Sequence, residues 1–187
     1  MDLFNAIKNR RSIRQYKPDP VSEKDLIKVL EAARLAPSWK NSQCWRFIII
    51  KSQRVKNKLA DCLPPMNRAS EAIRQAPLTI VACAEIGKSG YGPEKPETDK
   101  GDYWYMYDTA LAMEHLVLAA CSLGLGTVHV GLFDAPKTAA LLKVPAGYCV
   151  VALTPLGYPV QPAEPRPRKE MAEIVFYEKF GRAKPVK

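Results

Sequence analysis

Arg10, Arg11, Ser12 and Arg14 place three guanidinium groups and a hydroxyl within five residues. Such a set can grip a dianionic phosphate, because each guanidinium fork offers paired, charge-assisted donors and serine adds a neutral one. A solvated cationic helix end has the same composition, so the run does not decide its own meaning. A second segment adds different chemistry. Pro37, Ser38, Asn41, Ser42 and Gln43 set amides and hydroxyls just ahead of the apolar run 45–50, which suits reading the polar edge of a heterocycle at a strand mouth.

These groups need elements to hold them. Leu3, Phe4, Ala6 and Ile7 predict a short amphipathic helix ending near the arginines. Ser22 reads as the N-cap of a second helix, with Leu26, Ile27, Leu30, Ala33 and Leu35 at helical spacing until Pro37 stops it. Residues 45–51 predict a buried strand, 56–62 a helix, and 78–84 a second strand after Pro77. Residues 87–102 carry Gly, Pro and charge and predict a loop. The following stretch, 103–123, is apolar on most sides, so its helix must be buried all round, within the domain or against a second subunit. Gly124 and Gly126 suit a left-handed C-cap, 127–130 a short strand, Asp134 an N-cap, and 148–154 a last core strand ending at Pro155. Strands separated by helices imply an α+β or α/β domain.

Composition narrows the classes further. A chain of 187 residues, 47% hydrophobic and 25% charged, fits one domain spanning 1–187. No apolar stretch approaches the roughly 18–20 residues of a membrane span, and the start of the chain lacks signal-peptide features, so a cytoplasmic protein without a membrane partner is expected. Five scattered cysteines show no metal-ligand spacing, and no metal site is expected. The net charge of +9 is spread without a long basic run, which argues against a specific nucleic-acid partner and fits attraction of phosphorylated small molecules.

Together, Arg-x-Ser at Arg10–Ser12 and Pro-Ser-x-x-Asn-x-Gln-x-Trp at Pro37–Trp45 resemble the nitroreductase family of flavin enzymes. Gly124–Asp134 is similar to that family's flavin-flanking loop, and Pro165–Lys169 with Ile174, Val175 and Phe176 to its C-terminal tail. The resemblance implies a largely antiparallel sheet wrapped by helices and an intertwined homodimer. It also implies FMN at the subunit interface and a C-terminal extension from about residue 158 reaching the partner. Arg10, Arg11 and Ser12 would then hold the phosphate and ribityl chain, Arg14 the pyrimidine edge, and Pro37, Ser38, Trp39 and Asn41 would come from the partner subunit. His129, Val130, Gly131 and Leu132 would pass beside the ring, with a backbone N–H near Gly131 facing N5. Arg166, Arg168 and Lys169 would be phosphate ligands from the tail, and Trp39, Trp104 and Tyr105 the walls of a substrate pocket.

The resemblance further implies hydride transfer from NADH or NADPH through FMN to a nitroaromatic, quinone or similar acceptor, with no catalytic side chain required. His129 reads on its own as a hydrogen-bonded core residue or, alternatively, a general acid. Trp39, Cys44 and Gly131–Leu132 depart from residues common in relatives. Reductive dehalogenation or a flavin-consuming reaction are alternatives on the same scaffold; Tyr91, Glu94 and Lys95 in the 87–102 loop bear on the first. A basic binding protein without flavin is the third.

Overall fold

The computed structural model describes residues 1–183. In chain order the elements are α1 (Leu3–Asn9), α2 (Glu23–Arg34), a 3-10 turn (Trp39–Asn41), β1 (Trp45–Ile50), α3 (Gln53–Ala60), α4 (Ala69–Gln75), β2 (Leu78–Glu85), α5 (Gly101–Ser122), β3 (Gly126–Thr127), α6 (Ala135–Leu142), β4 (Tyr148–Gly157) and α7 (Met171–Ile174). The sheet order is β1-β2-β4-β3, and every named pairing is antiparallel. Helices cover both faces, giving an α+β fold.

The near-continuous apolar run of β2 follows from that position. Ile80 and Ala82 face α2 and α5 in one core, with Leu26, Val29, Met113, Leu116 and Val117. Val81 and Cys83 face the opposite core, with Leu59, Ile73, Val150 and Leu153. A central strand buried on both faces has no solvent side on which to place polar residues. Burial also pushes the Cys83 thiol up to about 11, helped by the nearby Cys149.

Local signals mark the helix starts. Ser22 Oγ accepts the Asp25 N–H at 3.1 Å and Asp134 Oδ1 the Lys137 N–H at 2.9 Å, so each cap satisfies an otherwise unpaired helix donor. Several boundaries differ from expectation. α3 begins and ends earlier than 56–62, because Lys56 lies mid-helix and points inward, its Nζ donating to the Ala76 carbonyl at 2.5 Å. That carbonyl belongs to the C-cap of α4, a helix with no sequence prediction.

β4 does not end at Pro155 but runs to Gly157, with Pro155 opposite Thr79. The proline is tolerated because it lies between the Val130–Leu153 bridge and the Thr127–Leu156 pair, where β3 makes no pairing. The expected strand at 127–130 is accordingly split into β3 and that single bridge. Gly124 is left-handed as a helix cap, with φ of 76°. Gly126 has another task, and lets Ile13 approach.

α5 is not enclosed all round. Asp108, Thr109, Ala112, Met113 and Leu116 are buried, while Tyr103, Met106 and Tyr107 are exposed. Leu3, Phe4 and Ile7 on α1 are exposed as well, so that short helix turns most of its apolar face outward.

The arginine segment is fixed to the sheet edge at one junction. Ser12 forms a parallel bridge with Thr127, and the Ile13 N–H donates to the Thr127 carbonyl at 2.8 Å. A Cβ on Gly126 would lie 2.8 Å from the branched Cβ of Ile13, which has no flexible end to swing away. Gly126→Ala is therefore expected to cost about 1–3 kcal/mol by overpacking, read from urea unfolding, and to displace Ser12 with it.

Candidate functional site

Two adjoining cavities lie beside this junction. One, of about 600 Å³, is lined by Arg10, Arg11, Ser12, Arg14, Arg166 and Arg168, with Glu164 its one acidic residue. The other, of about 560 Å³, shares Arg14 and Arg166 and adds Asn67, Arg68 and the whole of 128–132. Three segments distant in sequence thus converge: the first arginine run, the turn after β3, and the C-terminal tail. The tail gets there because the Lys17 N–H donates to the Tyr158 carbonyl at 2.8 Å and the Val160 N–H to the Gln15 carbonyl at 3.1 Å. These bonds lay it back along residues 15–17 of its own chain.

The electrostatics of this region are distinctive. Arg34, Arg46, Arg74 and Arg182 each have a carboxylate within ion-pair distance. Among the described residues, Arg10, Arg11, Arg14, Arg68, Arg166 and Arg168 form no ion pair, and all of them line the two cavities. Arg54 is also unpaired but does not line them. Like charges gathered this way repel in the absence of an anion. The donor set of guanidinium forks and the Ser12 hydroxyl fits a phosphate, and the Asn67 amide with the backbone of 128–132 fits a polar ring.

Lys169 lies outside both linings. His129 is exposed rather than part of the core. The Val128 and Val130 side chains on either side of it are buried, and its own Nε2 lies 3.8 Å from Glu114 Oε2. The His129 imidazole is the largest cause holding the Glu114 carboxyl below the usual glutamate value, ahead of the Arg10 charge, while desolvation opposes both.

Pro37, Ser38, Trp39 and Asn41 line neither cavity of the chain that carries them. Their loop is instead seated on α5. The Trp39 N–H donates to Asp108 Oδ2 at 3.0 Å, and the Trp39 indole meets Trp104 edge-on with centroids 5.0 Å apart. The indole N–H of Trp39 is buried without an acceptor among the described residues. Lys40, Asn41 and Gln43 have φ of 44°, 57° and 47°, a left-handed backbone that costs a non-glycine residue about 1–2 kcal/mol. Tyr105 does not join the two tryptophans. It packs against the core beside α2, where burial, then a hydrogen bond with Cys149, push its hydroxyl up to about 12.

Asn67, Arg68, Ser89 and Asp108 escaped the sequence reading. Asn67 Oδ1 accepts the Ala69 N–H at 2.9 Å and its Nδ2 donates to the Leu132 carbonyl at 3.0 Å, tying the start of α4 to the cavity wall. An Asn two residues before a helix was the available signal. Asp108 looked only like a polar break in an apolar helix. Among the described residues no group of three or more His, Cys, Asp or Glu could hold a metal ion, and no helix is long and apolar enough to cross a membrane.

Arginines without ion-pair partners among the described residues, gathered at the edge of a helix-covered antiparallel sheet, define the class: an α+β fold whose donor set fits a phosphorylated small molecule. The chain belongs to the nitroreductase family, whose model matches residues 7–158. It is 34% identical over 171 residues to the 5,6-dimethylbenzimidazole synthase of Rhodospirillum rubrum, covering 80% of this chain and 78% of that protein. A solved nitroreductase family protein from Clostridium novyi NT superposes with a TM-score of 0.76 at 36% identity, covering 98% of this chain and 97% of the other. An FMN-dependent nitroreductase from Clostridium difficile R20291 gives 0.77 at 28% identity, covering 95% and 99%.

The Glu114 shift fixes the sign of one pH dependence. A carboxyl held lower in the folded state stabilises the fold above its unfolded value, near 4.5, and that contribution is lost as pH falls through the folded value. With half of the side chain exposed, screening limits it to about 0.5 kcal/mol. Glu114→Gln is expected to be less stable than wild type by that amount near neutral pH and equal to it in acid, as urea unfolding across pH will show.

Proposed function

We propose that the protein is an FMN-dependent NAD(P)H oxidoreductase that reduces nitroaromatics, quinones or similar electron-poor acceptors, working as a cytoplasmic homodimer with FMN at the subunit interface. The convergence of six arginines without carboxylate partners on two adjoining cavities carries this reading, because a bound phosphate and the anionic edge of a reduced ring are what would neutralise them. Membership of the nitroreductase family supports it, as does the FMN dependence of the Clostridium difficile relative.

When bound, FMN would supply the hydride-transfer chemistry between NAD(P)H and the acceptor. The chain supplies position and charge. Arg10, Arg11, Ser12, Arg166 and Arg168 hold the phosphate end, with Lys169 flanking them. Arg14 and Asn67 address the pyrimidine edge, where a cation favours the negative charge of reduction. Val130 and Gly131 present backbone beside the ring, with His129 and Leu132 flanking it. Pro37, Ser38, Trp39 and Asn41 reach the partner's flavin, and Trp39 with Trp104 narrows the acceptor slot; Tyr105 supports that wall from the core. The exposed Leu3, Phe4, Ile7, Tyr103, Met106 and Tyr107 provide the apolar area that a subunit interface needs.

The Rhodospirillum rubrum relative's name supports a second reading. Dimethylbenzimidazole carries the dimethylated benzene ring also found in flavin, so a flavin-consuming reaction at the same site is the alternative.

The test is the visible spectrum of the purified protein, followed through anaerobic NADPH and then a nitroaromatic. Flavin absorption that bleaches and returns supports the reductase; flavin that is lost irreversibly on exposure to oxygen supports the second reading; a colourless protein that refuses added FMN removes both. Arg10→Ala and Arg168→Ala are each expected to weaken FMN binding about tenfold through loss of a charge-assisted hydrogen bond, measured by quenching of flavin fluorescence.

A further inference from the structure

The loop at 37–43 holds left-handed backbone at Lys40, Asn41 and Gln43, and such geometry persists only where the surroundings over-determine it. Its own backbone closes through the Asn41 N–H to the Ser38 carbonyl at 3.1 Å and the Ser42 N–H to the Trp39 carbonyl at 2.8 Å. Ser38 Oγ accepts the Gln43 N–H and Asn41 Oδ1 accepts from Gln43 Nε2, both at 3.0 Å. The Lys40–Glu97 ion pair at 2.5 Å lies at the surface, with the lysine side chain 63% exposed, so water screens it.

One buried group grips this loop and a second segment together. The Asp108 carboxylate, 1% exposed, accepts from the Trp39 N–H at 3.0 Å, from Ser42 Oγ at 3.3 Å and from Ser89 Oγ, all at the same oxygen. Trp39 and Ser42 belong to the loop. Ser89, also 1% exposed, opens the segment that runs on through Glu97 to α5. Losing the acceptor would leave the part-buried Trp39 N–H and the buried Ser89 hydroxyl without it, one on each segment, while Ser42 Oγ still has Ser89 Oγ at 3.4 Å. Cys44, fully buried next to the cluster, has its thiol pushed up by burial and by the Asp108 charge.

We propose that Asp108 is a positioning residue. It sets the loop bearing Pro37, Ser38, Trp39 and Asn41 against the flavin, and fixes the 86–100 segment beside the acceptor slot through the same oxygen. This rests on the flavin reading above. Asp108 touches no cofactor itself and acts through the Trp39 backbone and the two serines. Both walls of the slot therefore share one anchor, and a change there alters cofactor affinity and acceptor size preference together.

The test compares wild type, Asp108→Asn, Asp108→Ala and the double variant Ser42→Ala/Ser89→Ala by FMN titration, by the visible circular dichroism of bound flavin, and by kcat and KM for a small and a bulky quinone. Asp108→Ala is expected to weaken FMN about tenfold or more, change the flavin dichroism, and alter the ratio of KM values for the two quinones. Asp108→Asn, whose amide oxygen accepts from the same donors, is expected to stay within about threefold of wild type. The double variant keeps the buried carboxylate, so it decides the matter if Asp108→Ala does not fold, and a dichroism change with FMN loosened about threefold is the expected result. Wild type that binds FMN alongside an Asp108→Ala variant, or failing that a double variant, with unchanged affinity and dichroism overturns the assignment alone. Wild type that binds no FMN overturns the flavin reading and the assignment with it.

Discussion

The donation from the Ile13 N–H to the Thr127 carbonyl, at 2.8 Å, is the junction on which the rest of the site depends. It attaches a segment with no regular structure of its own to the edge of a sheet whose central strand is buried on both faces. Through β4, the position of Ser12 and its neighbouring arginines is referred to the buried central strand. The same edge presents the backbone of 128–132 one step further on. A small displacement there would move the arginine run and the 128–132 backbone together, so the close approach of Ile13 to Gly126 bears on the cavities as well as on the packing.

The fold also concentrates like charge. Six guanidinium groups face one another across two cavities with few acids nearby, an arrangement that lowers the stability of the empty protein and raises its affinity for an anion by the same repulsion. Elsewhere the chain neutralises arginine in the ordinary way, as in the Arg74 contacts with Asp61 and Glu71. The contrast within one molecule sets these arginines apart more clearly than the net charge does.

Much of this was legible in the sequence because it rests on local rules. The Ser22 and Asp134 caps, the two apolar runs that became β1 and β2, and the glycine cap at Gly124 each carry their own signal. The four motifs also placed the arginines, the turn after β3 and the tail in one family pattern. What was illegible depends on partners remote in sequence. Lys56 looks like a surface lysine until α4, a seven-residue helix whose apolar residues are Ala69, Ala72 and Ile73, brings the Ala76 carbonyl to it. Pro155 reads as a strand end unless the gap in the neighbouring strand is known. Asp108 resembles a lone polar interruption until a loop from 69 residues earlier folds onto it, and Tyr105 resembles a pocket residue until its rotation about α5 is fixed.

The tail is joined to the body near residues 15–17 by a few backbone bonds and by Ala163, which packs against Ile13, Tyr16, Ala72 and Ala76, and beyond them Arg166 and Arg168 stand in irregular chain. Segments tethered so lightly open at small free-energy cost. An anion gripped from both sides would close that segment against the sheet edge, so ordering of the tail and retention of the anion become two descriptions of a single equilibrium. Susceptibility of the 161–170 stretch to a protease then becomes a gauge of occupancy, readable without any reference to colour or turnover.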